Sequence, residues 1–305
     1  MAAIVVGSRL HWNNHARRGA LDVSALLDQV LAFFTRAASY PGVGGVLLAV
    51  GIPEGVGGLP PTAEPTDDPG RAAFNASVTE FLERLYAETK TGVLSPDGKS
   101  VPVVIVPLVH WGQFVPALNA MVSTAAMSFP SATLLLLQSL EIEADAASVG
   151  FLHKYFDLRR DLVVGAALPG HEFSPSNIQP LDLTGTTSPW NTLALWNLSQ
   201  LSKVGFPLVG DGLHIDGEGM RAAGIEEVAT IAMYQQLYPV GISTRATVVR
   251  IPGIAWQVDE LPDPERRAWQ AAKMVSKNQR AGKQMARLGI QQGRVYHAEV
   301  VKEST

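Results

Sequence analysis

Short apolar runs alternate with stretches whose apolar residues recur at helical spacing, and this pattern holds over roughly the first 170 residues. The runs are Ala3–Val6, Gly45–Val50, Val101–Val109, Thr133–Gln138 and Leu162–Ala167. Each is too short for a buried helix and reads as a strand buried on both faces. Between the first two, Leu26, Leu27, Val30, Leu31, Phe34 and Ala37 line one side of a helix, with Asp22 as its N-cap and Pro41-Gly42 as its stop. Phe74, Val78, Phe81, Leu82, Leu85 and Tyr86 mark a second helix after the Gly- and Pro-rich stretch Gly51–Gly70. Phe114–Met127, with Pro116 in its first turn, and Asp145–Phe156 read as the third and fourth. Strand–helix alternation of this kind predicts an α/β fold: an open, mainly parallel twisted sheet with helices on both faces. Pro102 and Pro107 place the third strand at a sheet edge or a bulge.

The later pattern is less regular. Gly170–Ser188 reads as loop, Thr192–Ser202 and Ile225–Leu237 as helices, and Thr247–Ile251 as a strand. Residues 264–287 read as a polar helix carrying 7 Lys/Arg and one Glu. The expected organisation is one α/β domain over 1–262, with a nucleotide-binding half at about 1–143 and an acceptor-side half at about 144–262. A basic helix and tail over 263–305 would follow.

Composition excludes several classes. Hydrophobic residues are 47% and charged residues 17%, a globular balance. A net charge of −4 lacks the basic footprint of a general nucleic-acid binder. With no cysteine, disulfides, thiolate chemistry and Cys-ligated zinc are out. No apolar run approaches the ~20 residues of a membrane-spanning helix, and MAAIVVGSRL lacks the basic start of a signal peptide. The expectation is a soluble cytoplasmic protein.

In open α/β sheets ligands bind beyond the carboxyl ends of the strands. That rule selects Gly7–Asn14, Gly51–Gly58, His110–Gln113 and Ser139–Glu143. Only Gly7 follows the first strand, so the G-x-G-x-x-G dinucleotide turn is missing. A phosphate-loop lysine and a G-x-S-x-G nucleophile elbow are missing too.

Several landmarks from the third strand onward come in a telling order. Gly112 and Ala117-Leu118-Asn119 follow that strand; then come the Leu134–Leu137 run, Ser139-Leu140-Glu141, Val163-Val164-Gly165, Lys203-Val204-Gly205-Phe206 and Gly224-Ile225-Glu226-Glu227. Together with AIVVGSRLHWN and GVLLAVGIPE upstream, this series resembles the GT-A glycosyltransferases, in particular the inverting family 2 enzymes. The resemblance implies a GT-A-like α/β fold and transfer of a sugar from a nucleoside-diphosphate sugar to an acceptor hydroxyl. It implies nucleotide contacts from Ser8, Arg9, Gly51, Glu54, Trp111, Gly112, Asn119 and Ser139, and acceptor contacts from Trp190 and Asn191. Glu226 and Glu227 would supply the catalytic base, and Glu141 would hold Mg²⁺ or Mn²⁺ as the remnant of an Asp-x-Asp motif. The departures are Ser139 in place of the first acid and Leu118 in place of an Arg. Cationic side chains are the alternative holders of the phosphates. The partners implied are a nucleotide-sugar donor and a small-molecule or glycan acceptor, with no nucleic acid and no integral membrane segment.

Other readings stay open at this stage. Acids in a first helical turn also complement the helix dipole. Trp12 is a candidate for stacking on a base, and Trp190 either stacks on a sugar or packs its helix. Asp211, His214 and Asp216 lie in a glycine-rich loop, and His171-Glu172 lacks the spacing of a helical metal motif. Lys273, Lys277, Arg280 and Lys283 share roughly one helix face, where solvation is the default. A nucleotidyltransferase of the same half-fold, and a non-catalytic scaffold that has lost its first acid, are the rival functions.

Overall fold

Strand β1 (Ala3–Leu10) lies between two parallel neighbours, β2 (Val43–Gly51) and β6 (Ala132–Gln138), in the computed structural model. The structure describes residues 3–12, 19–53, 56, 69–109, 111, 114–212, 225–238, 242–252, 254–256 and 275–299. Beyond β2, β5 (Val103–Leu108) forms one edge of the sheet, where its prolines are tolerated. On the other side β10 (Leu193–Asn197) pairs antiparallel to both β6 and β8 (Asp161–Ala166). The sheet continues through β11 (Arg245–Arg250), β13 (Arg294–Glu299) and β9 (Ser176–Asp182). The nine strands thus run β5-β2-β1-β6-β10-β8-β11-β13-β9, parallel except at β10 and β9. Two short antiparallel pairs lie outside it: β3 (Val93–Leu94) with β4 (Ser100–Val101), and β7 (Ile142–Glu143) with β12 (Ala255–Trp256).

Strand periodicity sorts the core into two layers. Ile4, Val6, Leu134 and Leu136 face α1 (Val23–Ala38), α2 (Pro69–Thr89) and α4 (Ala146–Tyr155). Val5, Leu135 and Leu137 face α3 (Val115–Ser128), α5 (Leu198–Val204), α6 (Glu226–Leu237) and α7 (Lys277–Leu288). Both faces are covered, so the strands are apolar throughout, which is why they appear in the sequence as unbroken runs. Asp22 caps α1 by accepting from Ala25 N–H at 3.0 Å, and Asp145 caps α4 by accepting from Ser148 N–H at 2.7 Å.

Three segments differ from expectation. Leu193–Asn197 is a strand, not the start of a helix: all five residues are buried between β6 and β8. Its last residue, Asn197, is the N-cap of α5, accepting from Gln200 N–H at 3.2 Å, so strand and helix share a boundary with no turn signal. Ser176–Asp182, expected as loop, is the edge strand β9. Arg294–Glu299, expected in a tail, forms β13 inside the sheet, with Val295 and His297 fully buried. Part of the basic helix expected over 264–287 lies outside the described residues.

One ion pair closes the far end of the sheet. Asp161 is fully buried at the start of β8, and both its oxygens take the Arg245 guanidinium from the start of β11, one at 2.9 Å. It also accepts from Asp157 N–H at 2.7 Å. Removing one partner of a buried pair strands the other's charge. Asp161→Ala should cost about 2–4 kcal/mol, read as a lower urea midpoint with an unchanged slope; an unchanged midpoint would show that the pair is dispensable.

Candidate functional site

Because β1, β2, β5 and β6 run parallel, their carboxyl ends open at one edge of the sheet, and β10 starts from the same edge. Ser8 Oγ donates to Gln138 O at 2.7 Å and ties the tips of β1 and β6 together. Gln138 Nε2 donates to Ile142 O at 3.2 Å, and the Tyr40 hydroxyl sits 3.1 Å from Gln138 Oε1 and 3.0 Å from Ala144 O. These bonds hold the turn over Ser139–Ile142, closed by Ile142 N–H on Ser139 O at 3.1 Å. Ser139 N–H donates to Thr192 O at 2.9 Å, which joins the turn to the Trp190–Thr192 segment. Glu141 rides on this turn, exposed and turned away from the hydrophobic interior. Ser139 Oγ accepts from Glu141 N–H at 3.4 Å. Gln138 and Tyr40, which build this corner, carry no motif that would mark them in the sequence.

Arg9 projects from β1 toward the start of α3. Its guanidinium lies 4.9 Å from the centre of the Phe114 ring, a cation–π contact. Nη1 is buried and has no hydrogen-bond partner among the described residues. Burial lowers the Arg9 pKa, and the charges of Glu226, Glu227, Asp211 and Glu141 oppose that shift. An arginine stays charged regardless, so a cation with an unused donor is held inside the protein edge. Asp211 Oδ1 accepts from both Phe114 N–H and Val115 N–H at 2.6 Å, capping α3 from a distant 3₁₀ turn at Leu208–Asp211. A Cβ on Gly210 would lie 3.0 Å from Glu226 Cα, so glycine lets this turn approach the head of α6.

Glu226 and Glu227 open α6, and both are buried. Helix-dipole complementarity alone would be served by exposed acids. Burial pushes the Glu227 carboxyl up to about 7, the charge of Glu226 adds to the rise, and Lys277 opposes it. The same two carboxylates act on Arg280, whose own pKa burial lowers. Lys277 and Arg280 are therefore not on a solvated face: both are buried, whereas Lys283 is exposed. The inward turn of α7 follows from the acids it meets, which lie about fifty residues earlier in the chain.

Other expected site residues have specific places. Trp190 is buried and donates from Nε1 to Gly185 O at 2.8 Å. Its ring stacks on His171 at 3.7 Å between centroids, and Lys277 Nζ lies 3.2 Å from the ring centre. The ring face is thus covered from within, and Trp190 packs the loop instead of presenting a platform for a sugar. Asn191 Oδ1 accepts from Trp196 Nε1 at 3.0 Å, while Asn191 Nδ2 is buried with no hydrogen-bond partner among the described residues. Asn119 spends both amide atoms on Phe206, accepting its N–H at 2.7 Å and donating to its carbonyl at 2.9 Å. It fixes the α5 exit to α3 and does not face the strand tips as a free amide. Trp12 is core, edge-on to Phe74 and Phe81, with its indole N–H on Gly51 O. Trp111 covers Gly51, where a Cβ would come within 3.2 Å of Trp111 Cε3, and the His11 ring lies 5.8 Å from it. Burial depresses His171 to about 4, and its ring nitrogens bond Leu168 and Ser188 backbone. Glu54, Gly112, His214, Asp216 and Lys273 lie outside the described residues.

Among the described residues no three His, Asp or Glu side chains gather as metal ligands. Glu141 and Ser139 together offer one exposed carboxylate, a thin donor set for a resident ion, because Mg²⁺ and Mn²⁺ want several oxygen ligands. No helix among the described residues is long and apolar enough to cross a membrane.

The sequence matches no protein-family model and no curated protein. Solved structures to which the chain is similar include residues 1–349 of S. aureus TarS, at 10% identity and a TM-score of 0.34, covering 67% of this chain and 50% of that one. The same protein in complex with UDP-GlcNAc aligns at 10% identity and a TM-score of 0.34 over 67% of this chain and 48% of that one. A 4-diphosphocytidyl-2C-methyl-D-erythritol synthase aligns at 10% identity and a TM-score of 0.33 over 67% of this chain and 79% of that one. The chain thus spans about half the length of the TarS structure.

The raised Glu227 has a consequence for stability. Its folded value of about 7 exceeds the ordinary 4.5, so between those pH values the folded state binds a proton that the unfolded state has released. Stability attributable to this group therefore falls as pH rises from about 4.5 through about 7. Glu227→Gln should raise the melting temperature more at pH 8 than at pH 5. Parallel wild-type and variant curves across that range would contradict the raised value.

Proposed function

We propose that this protein is a nucleotide-sugar-dependent glycosyltransferase of the GT-A type that inverts the configuration of the transferred sugar. The observation that carries the reading is a buried carboxyl held near neutral pKa, with a half-buried arginine whose buried Nη1 donor is unused close enough to feel its charge, at the edge where the parallel strands end. A general base works best with a pKa near the working pH, and Glu227 meets that requirement. Its neighbour Glu226 helps to keep it there by like-charge repulsion.

In this reading the donor's diphosphate lies toward Arg9 and the acceptor hydroxyl toward Glu227. Glu227 accepts the hydroxyl proton as the oxygen bonds to the anomeric carbon. The bond from that carbon to the diphosphate oxygen breaks, and the diphosphate leaves with the electron pair. Attack from the face opposite the leaving group gives inversion. Asp211 and the bonds around Gln138 keep α3 and the Glu141 turn in place. The acceptor contact of Asn191 would come through Nδ2, because Oδ1 is committed to Trp196.

The test is a screen of UDP-, GDP- and ADP-sugars by thermal shift, followed by hydrolysis of whichever donor binds. Glu227→Gln should then lower turnover by about 10²-fold or more while leaving donor affinity within a few-fold. Log kcat/KM should climb with pH and level off above about 7, because the base must be ionised. No donor binding, or full turnover by Glu227→Gln, would overturn the assignment; release of pyrophosphate in place of a nucleoside diphosphate would reassign the chain as a nucleotidyltransferase.

A further inference from the structure

Resting on that reading, we infer that the site recognises the nucleoside diphosphate by fixed cations, with Arg9 as the anchor, and that its affinity does not depend on a divalent metal. Three independent features converge on this.

The first is Arg9 itself. A guanidinium normally spreads five donors over several acceptors, and it is placed in protein interiors where planar recognition of an anion is needed. Here Nη1 is buried with no hydrogen-bond partner among the described residues, while the guanidinium carbon lies 4.9 Å from the centre of the Phe114 ring, a contact that occupies no hydrogen-bond donor. Burying an unsatisfied charged donor is destabilising. A ligand oxygen is what would satisfy it, and a phosphate oxygen suits a guanidinium best.

The second is the local charge. Lys277 and Arg280 on α7 are buried and are felt by the same acid pair that Arg9 feels. Three cations and the carboxylates of Asp211, Glu226 and Glu227 therefore share one low-dielectric region. Asp211 is bonded to two backbone N–H groups at the head of α3, and Glu227 is about half protonated near pH 7. A protonated Glu227 leaves less negative charge around these cations, which suits an incoming anion.

The third is the state of the acidic motif. Ser139 brings no carboxylate to the turn, and its hydroxyl accepts from the Glu141 backbone N–H. Cations inside the protein and a single carboxylate at the rim together describe a site in which side chains neutralise the ligand's charge.

Isothermal titration calorimetry with UDP, GDP and inorganic pyrophosphate, in EDTA and again in MnCl₂, tests this on wild type, Arg9→Met and Glu141→Ala. The expected result is affinity in EDTA within about threefold of that in Mn²⁺ and little change in Glu141→Ala, with at least a tenfold loss in Arg9→Met. Arg9→Met takes away a cation that acts with Glu226 and Glu227, so it should melt lower than wild type while remaining folded, and its affinity is therefore compared with that of Arg9→Lys. Arg9→Lys, which keeps the charge but not the planar fork, should recover part of the affinity. Nucleoside diphosphate binding that vanishes in EDTA and returns with Mn²⁺ would overturn the inference and leave the transferase reading standing. Binding of pyrophosphate alone, lost in Arg9→Met, would support the anion site and sink the nucleotide-sugar reading. No binding of any of the three would overturn both.

Discussion

Two carboxyls withdrawn from water at the head of one helix set the terms for the surrounding structure. Ionised acids cannot stay inside a protein uncompensated, so they must pair, share a proton or shift their pKa. Cations on β1 and α7 act with the pair, and Glu227 holds its proton to about neutral pH. The inward turn of Lys277 and Arg280, the docking of α7 and the position of Arg9 all follow from this demand. Glu227 lowers the stability of the fold above its pKa, and a site that keeps such a cost is a candidate for chemistry.

The frame that holds the acids is less exposed to such conflict. The sheet brings four parallel strand ends to one edge, and short bonds around Gln138 and Ser8 keep two of those ends in register. Asp211 fastens the start of α3 to the turn that abuts α6, so the helix heads nearest the acid pair are linked through side chain and backbone. Loop Thr184–Trp190 is pinned to α7 by Asn278, whose Oδ1 takes Thr186 N–H and hydroxyl, both at 2.9 Å. A scaffold tied at these points can hold charged groups close without letting water in to screen them.

Much of the architecture was legible because buried strands leave an unbroken apolar signature and helices leave a periodic one. β1, β2, β5, β6 and β8 and the helices α1–α4 and α6 fall where those patterns lie, and Asp22 and Asp145 cap where a cap is chemically suited. β10 was not legible, since five buried residues run straight into a helix whose cap is the strand's last residue. β9 and β13 carry mixed polar patterns, and only pairing with a distant partner makes them strands. At the site, Glu226 and Glu227 were visible as a pair, yet nothing local distinguishes buried acids from dipole partners. Lys277 and Arg280 looked solvated for the same reason: the groups that draw them inward come from another part of the chain. Trp190 and Asn119 have the right residue types for ligand contact, but the structure commits them to His171, Lys277 and Phe206.

The central claim is spatial: a phosphate-bearing ligand meets Arg9 beside the acid pair at the edge where β1 and β6 end. A crystal structure of the protein soaked with UDP in the absence of divalent metal tests it most directly. The account predicts a diphosphate oxygen within hydrogen-bond distance of Arg9 Nη1. Density for the diphosphate elsewhere on the surface, with that nitrogen still lacking an acceptor, would contradict it.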